Sequence, residues 1–182
     1  MHRAGIAAAL ALALAAAADA HEIGPPPGAP VVTVTGDITH ANRDSIDPFV
    51  DRLFGARGES FPEGVELDLT FLGRMEQRRR TVRYPSWPRP VTVEGPLLSE
   101  VIAAADPTGS VVVAYSLGGT TTAIPLEEIR RHPIILAIRA DDRFLGIGGR
   151  GPTWIVYPWD DPAMASRPEP AGLWGIYRLD VR

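Results

Sequence analysis

Side chains alternate along residues 65–71: Val65, Leu67, Leu69 and Phe71 are apolar, while Glu66, Asp68 and Thr70 are polar. A period of two places one set on each face of a strand, so this segment is predicted to be a half-buried strand. Residues 31–35 alternate in a β-branched run closed by Gly36, and further strands are predicted over 81–84 and 91–93, over the apolar run 111–115 as a buried strand, and over 134–139, 154–157 and 174–181. Helical spacing is rarer. Asp47 and Pro48 read as a cap and first helical residue, with Phe49, Val50, Leu53 and Phe54 sharing a face and Gly55 as the stop. After Pro96, a second helix is predicted from Leu98, Val101, Ile102 and Ala105, ending at Asp106 and Pro107. A third opens at Pro125, with Glu127 and Glu128 in its first turn and Arg130 and Arg131 in its last, as the helix dipole favours. Strands and helices mix without regular βαβ alternation, which predicts a single domain of the α+β class.

The first twenty residues, MHRAGIAAALALALAAAADA, carry neither period. A basic start at His2 and Arg3, an Ala/Leu run and the closing Ala18, Asp19 and Ala20 have the layout of a secretory signal peptide, too short for a comfortable membrane span. Cleavage is expected to leave His21 first. The run GPPPGAP that follows is too rich in Pro and Gly for regular structure. The expected division is therefore residues 1–20 as signal, 21–30 as a Pro/Gly-rich tether and 31–182 as the folded domain.

Composition removes several chemistries. The chain has no Cys, which excludes disulfides and thiolate metal ligands in an exported protein. Its net charge of −4 gives no electrostatic footprint for nucleic acid. Every one of its 18 basic residues is Arg, a pattern explained by coding bias more readily than by selection for anions.

Among the candidate constellations, VVVAYSLGG at residues 111–119 resembles the nucleophile elbow of a serine hydrolase, with Ser116 as the nucleophile. The context opposes it: Thr120, Thr121 and Thr122 are poor helix formers, and His132 follows too closely for the order of a catalytic triad. The acid pairs Asp141/Asp142 and Asp160/Asp161 read as solvated turns, with weak calcium binding at the second pair as the minor alternative. The run Arg78, Arg79, Arg80 and Arg83 reads as a solvated face. RGPTWIVYPWDD, at residues 150–161, sets a guanidinium and indoles beside a Gly/Pro bend. That combination suits a flat polar heterocycle, stacked on Trp154 and read at its edge by Arg150, with Trp159 as packing.

In order along the chain, VTVTG (32–36), VTVEGPLLSEVIAAA (91–105), IPLEEIRRHPIILAIRADDRFL (124–145), GPTWIVYPWDD (151–161) and WGIYRLDVR (174–182) resemble the molybdopterin-binding domain of the sulfite oxidase superfamily. The likeness is in particular to its small exported stand-alone members. The resemblance implies an α+β fold around a curved mixed sheet with a pterin-shaped cleft. Catalytic members ligate molybdenum through one Cys near the positions of Tyr84 to Trp87, where this chain reads YPSW. They also place cations where Trp154 and Trp174 stand here, so phosphate capture is exchanged for stacking surface.

The resemblance thus implies a periplasmic, non-catalytic pterin-binding protein that reports its ligand to the periplasmic domain of a membrane signalling protein. Trp87, Tyr115, Arg139, Arg150, Trp154 and Trp174 are its expected ligand-binding residues, with no catalytic residue, no metal and no redox cofactor. The alternatives are a molybdopterin-dependent oxidoreductase or cofactor carrier and, more remotely, the Ser116 hydrolase. Trp154→Ala is expected to weaken pterin binding while sparing the fold.

Overall fold

The C-terminal strand organises the sheet. In the computed structural model, which describes residues 23–84, 86–159, 161, 164 and 172–182, β12 (Trp174–Val181) pairs along one edge with β6 (Val111–Ser116). Along its other edge it pairs first with β11 (Thr153–Val156), antiparallel, and then with β1 (Pro30–Gly36), parallel. The sheet forks at this strand. One branch continues through β11 to β8 (Ile135–Ala137), and the other through β1 and β3 (Glu63–Asp68) to β2 (Arg43–Asp44). Beyond β6 lies β7 (Thr121–Pro125), and the parallel β1–β12 pair beside antiparallel neighbours makes the sheet mixed, within a single α+β domain.

A second sheet runs in the order β10 (Arg143–Phe144), β9 (Arg139–Ala140), β5 (Val91–Gly95), β4 (Arg78–Val82). It joins the first where β5 passes beside β8. The amide of Leu136 donates to Pro96 O at 2.9 Å, and that of Ile138 donates to Glu94 O at 2.9 Å. Gly95 permits this crossing, since a Cβ there would stand 2.1 Å from Leu136 O. The crossing also divides the strand predicted at 134–139 into β8 and β9, because the backbone changes sheets at Ile138.

Short helices pack on these sheets, among them α1 (Arg52–Ala56), α2 (Leu69–Arg74), α3 (Leu98–Ala103) and α4 (Leu126–Arg131). The last two sit where the sequence predicts them, with Leu98, Val101, Ile102, Leu126 and Ile129 in the core. The strand predicted through residue 71 stops at Asp68 instead. Its carboxylate accepts the amide of Phe71 at 2.7 Å, so a side-chain cap turns Leu69 and Phe71 into helix. The helix predicted from Asp47 starts late for a related reason. Asp47 Oδ1 accepts from the amides of Phe49 (2.7 Å) and Val50 (3.1 Å), closing a local turn; α1 begins at Arg52 and runs through Gly55. The expected apolar face is consequently split, with Phe49 90% and Val50 74% exposed while Phe54 packs edge-on to Phe61. The Arg run is solvent-exposed at Arg78, Arg79 and Arg83, and its first three residues open strand β4 (Arg78–Val82) three residues ahead of the expected strand start.

The expected signal segment 1–20, His21 and Asp160 lie outside the described residues. Residues 23–29 lack regular structure, as their Pro and Gly content predicts, yet they lie against the body. Gly28 donates its amide to Asp68 Oδ2 at 2.7 Å, and Asn42 donates Nδ2 to Gly24 O at 3.1 Å. Among the described residues, no helix is long and apolar enough to cross a membrane.

Candidate functional site

Every residue of β11 is buried, because the strand lies between β8 and β12. Trp154 is therefore held from both sides by backbone pairing, to Ala137 and Trp174, and is only 1% exposed. Four more aromatic residues gather about it from two segments. Trp87 lies 5.1 Å from Trp154, ring centroid to ring centroid, and Trp159 lies 5.8 Å from Trp87. Tyr84 and Tyr157 meet Trp159 at 5.2 and 5.8 Å. The tilted and edge-on geometries are those that ring quadrupoles favour.

Arg150 covers this box. Its guanidinium carbon stands 4.3 Å from the Trp154 ring and 5.5 Å from the Trp87 ring. The approach is set by backbone: the amides of Gly149 and Gly151 donate to Gly146 O, and Arg150 O accepts from Gly175 at 2.9 Å. Gly151 must be glycine, since a Cβ would meet Leu145 O at 2.6 Å. Guanidinium-on-indole contacts of this kind contribute about 0.5–2 kcal/mol, more as water is excluded. One polar group in the box is left over: Trp154 Nε1 is buried and finds no hydrogen-bond acceptor. Leaving such a donor unsatisfied costs about 1–3 kcal/mol.

Of the six expected ligand-binding residues, the fold thus brings together Trp87, Arg150 and Trp154. Trp154 is not an open cleft wall, since the guanidinium closes over it. Trp159, expected as packing, is part of the box, as are Tyr84 and Tyr157, whose membership needed tertiary information. Trp174 lies beside Trp154 in register but is 43% exposed, and a Cβ on Gly118 would meet its ring at 3.8 Å. Its indole reaches the β6–β7 turn.

Tyr115 and Arg139 belong elsewhere. Arg139 lies over Phe144 at 3.6 Å and pairs with Glu94 on the smaller sheet. Tyr115 accepts from Arg182 Nη2 at 2.7 Å and supplies its ring to Arg178, at 4.8 Å.

Arg178 leads to a second polar cluster that pattern reading missed. Its buried guanidinium donates to Glu59 Oε2 (3.2 Å), Asp180 Oδ1 (2.7 Å) and Thr35 Oγ1 (2.9 Å), and lies 5.3 Å from the Phe61 ring. Burial alone pushes the Asp180 carboxyl up, but hydrogen bonds from Thr35, Arg182 and Arg178 outweigh it and hold it below the ordinary carboxylate value. Burial, then the hydrogen bond to Glu59, pushes the Tyr177 phenol far above its usual value. Charges at every second position, Arg178, Asp180 and Arg182, were the available signal. Each member is satisfied by fixed partners, so the cluster reads as the tie between β12 and the α1 segment.

The Ser116 hydrolase is overturned by connectivity. β6 returns directly as β7 in an antiparallel hairpin, so no strand-to-helix elbow exists there. Ser116 is buried, and its Oγ accepts the Thr120 amide at 3.2 Å. The acid pair Asp141/Asp142 forms the β9–β10 turn with positive φ at both residues, and Arg89 and Arg79 engage the two carboxylates. The residues at the position expected to ligate molybdenum do not fit that metal: Tyr84 and Trp87 present packed rings, and the chain has no thiolate to offer. Among the described residues, no three His, Asp or Glu gather as metal ligands would.

A scan against protein-family models finds no match, and no curated protein matches the chain.

Proposed function

We propose that this chain is a non-catalytic, periplasmic pterin-binding protein that reports its ligand to the periplasmic domain of a membrane signalling protein. The observation that carries the reading is the Arg150 guanidinium over the Trp154 indole, with the indole N–H left without an acceptor. A pterin contains a cyclic guanidine unit fused to a second flat ring. It is therefore the kind of group that exchanges with a guanidinium on an indole face, at a stacking gain of about 1–3 kcal/mol by analogy with nucleic-acid bases. Its carbonyl and ring nitrogens are acceptors along the ligand's edge, open to donors that surround the stacked ring. Once displaced from the ring face, Arg150 becomes a donor to the same edge. The absent cysteine leaves oxygen-atom transfer at molybdenum without its protein ligand, which favours a binding role over an oxidoreductase.

The test is a fluorescence titration of the full chain with oxidised pterin and with dihydropterin. Saturable quenching whose affinity falls in Trp154→Phe supports the reading. Quenching that is linear in ligand, or unchanged in the variant, contradicts it.

A further inference from the structure

The smaller sheet carries charge opposite to that of the chain. Residues 76–95 and 139–144 contain seven Arg against four acids, in a chain of net charge −4. β4 ends this sheet, with a strand partner on one edge only among the described residues. Its first residues and Gln77 line a cavity of about 550 Å³ that Leu97, Pro133 and Ile135 close on the side of the main sheet. At its head, Gln77 donates Nε2 to Leu72 O (2.7 Å) and Met75 O (2.9 Å), which fixes the amide orientation and leaves the buried Oε1 without a donor.

We propose that the β4 edge and this groove take an extended acidic peptide segment of a partner protein, added to the sheet as a further strand. An open edge offers main-chain donors and acceptors at strand spacing, and the side chains flanking it set the specificity. Here those side chains are Arg78 and Arg79, which select carboxylates. Arg78 and Arg79 already meet Glu76, Glu94 and Asp142, but these pairs are solvent-exposed, worth about 0–1 kcal/mol each, and readily exchanged. A free inorganic anion matches the arginines but cannot pair along the strand edge, whereas a peptide offers main-chain amides at strand spacing, one of them to Gln77 Oε1.

The probe is an acetylated, amidated peptide of alternating Glu and Val, roughly eight residues long to match the strand edge. Its anisotropy is followed on the full chain, with hydrogen exchange of the β4 amides read in parallel. We expect saturable binding, slowed exchange in β4, loss of binding when alternate peptide nitrogens are methylated, and about a tenfold weaker affinity in Arg78→Glu and in Arg79→Glu. Both positions are exposed, and an unchanged near-ultraviolet spectrum establishes that the variants fold. Equal binding of a Lys–Val peptide, retention of affinity after methylation, or competition by inorganic phosphate or phosphatidylglycerol vesicles without β4 protection would each overturn the proposal. The peptide assay needs no pterin, so its outcome is separate from that of the pterin titration.

Discussion

Arg150 places its guanidinium carbon 4.3 Å from the ring centroid of Trp154, so an exposed cation caps a buried indole. The cap is positioned by main-chain hydrogen bonds of the 146–151 loop and by Gly175, while the indole is positioned by strand pairing. Arg150 thus covers the ring with a side chain that can rotate about its own bonds, while Trp87 packs against it from within the box.

Removing the cap should expose the face without dismantling the box. Arg150→Ala is expected to lower stability by about 0.5–2 kcal/mol, the range for a cation–aromatic contact. It should also shift tryptophan emission to longer wavelength as water reaches Trp154. Denaturant titration and emission spectra measure both.

Trp154→Ala removes a large side chain with 1% exposure, and the sequence expectation that it spares the fold is therefore corrected. Large-to-small truncation at such a site costs about 3–5 kcal/mol, enough to unfold a marginal domain. Trp154→Phe is the informative variant. It retains much of the ring and removes an N–H that makes no hydrogen bond in the free protein, so stability should fall by less than in the alanine variant while pterin affinity falls. Thermal melts with and without pterin separate the two effects.

Glu59 and Asp180 flank a guanidinium that is nearly inaccessible. Glu59→Ala leaves Arg178 with one carboxylate fewer and should cost about 3 kcal/mol, the lower end for breaking a buried pair, since Asp180 remains. Urea unfolding gives the value. A loss below about 0.5 kcal/mol, the scatter of ordinary surface changes, would show that water replaces Glu59 without penalty.

The same cluster sets an acid limit. The Asp180 carboxyl is held below its ordinary value in the folded state, so in acid the unfolded chain binds more protons. Its contribution is full above the ordinary carboxylate range and is lost as pH falls through the depressed folded value. Asp180→Asn should flatten that part of the curve of stability against pH. Tyr177 acts at the other end: its raised value means the unfolded chain ionises first, so stability falls above about pH 10. Tyr177→Phe should remove that alkaline loss, as equilibrium unfolding across pH would show.

Much of the sheet was legible because the strands predicted at residues 31–35, 111–115 and 174–181 coincide with β1, β6 and β12. Misreadings came where one polar side chain overrode the pattern: Asp68 ended a strand by capping α2, and Asp47 closed a turn ahead of α1. In the candidate site, Trp154 and Arg150 were legible because their separation along the chain is short. Trp87 was reached only through its neighbourhood to matching segments, and Tyr115 and Arg139 lie apart from the box because proximity to such segments does not determine which neighbours a side chain meets. The Arg178 cluster depends on Glu59, more than a hundred positions away, which no local pattern connects to it.

The most direct measurement is mass spectrometry of small molecules released by denaturing the protein purified from its native compartment, with molybdenum determined on the same sample. The account predicts a metal-free pterin approaching one per chain. Stoichiometric molybdenum, or protein that carries no pterin and binds none when supplied, would contradict it.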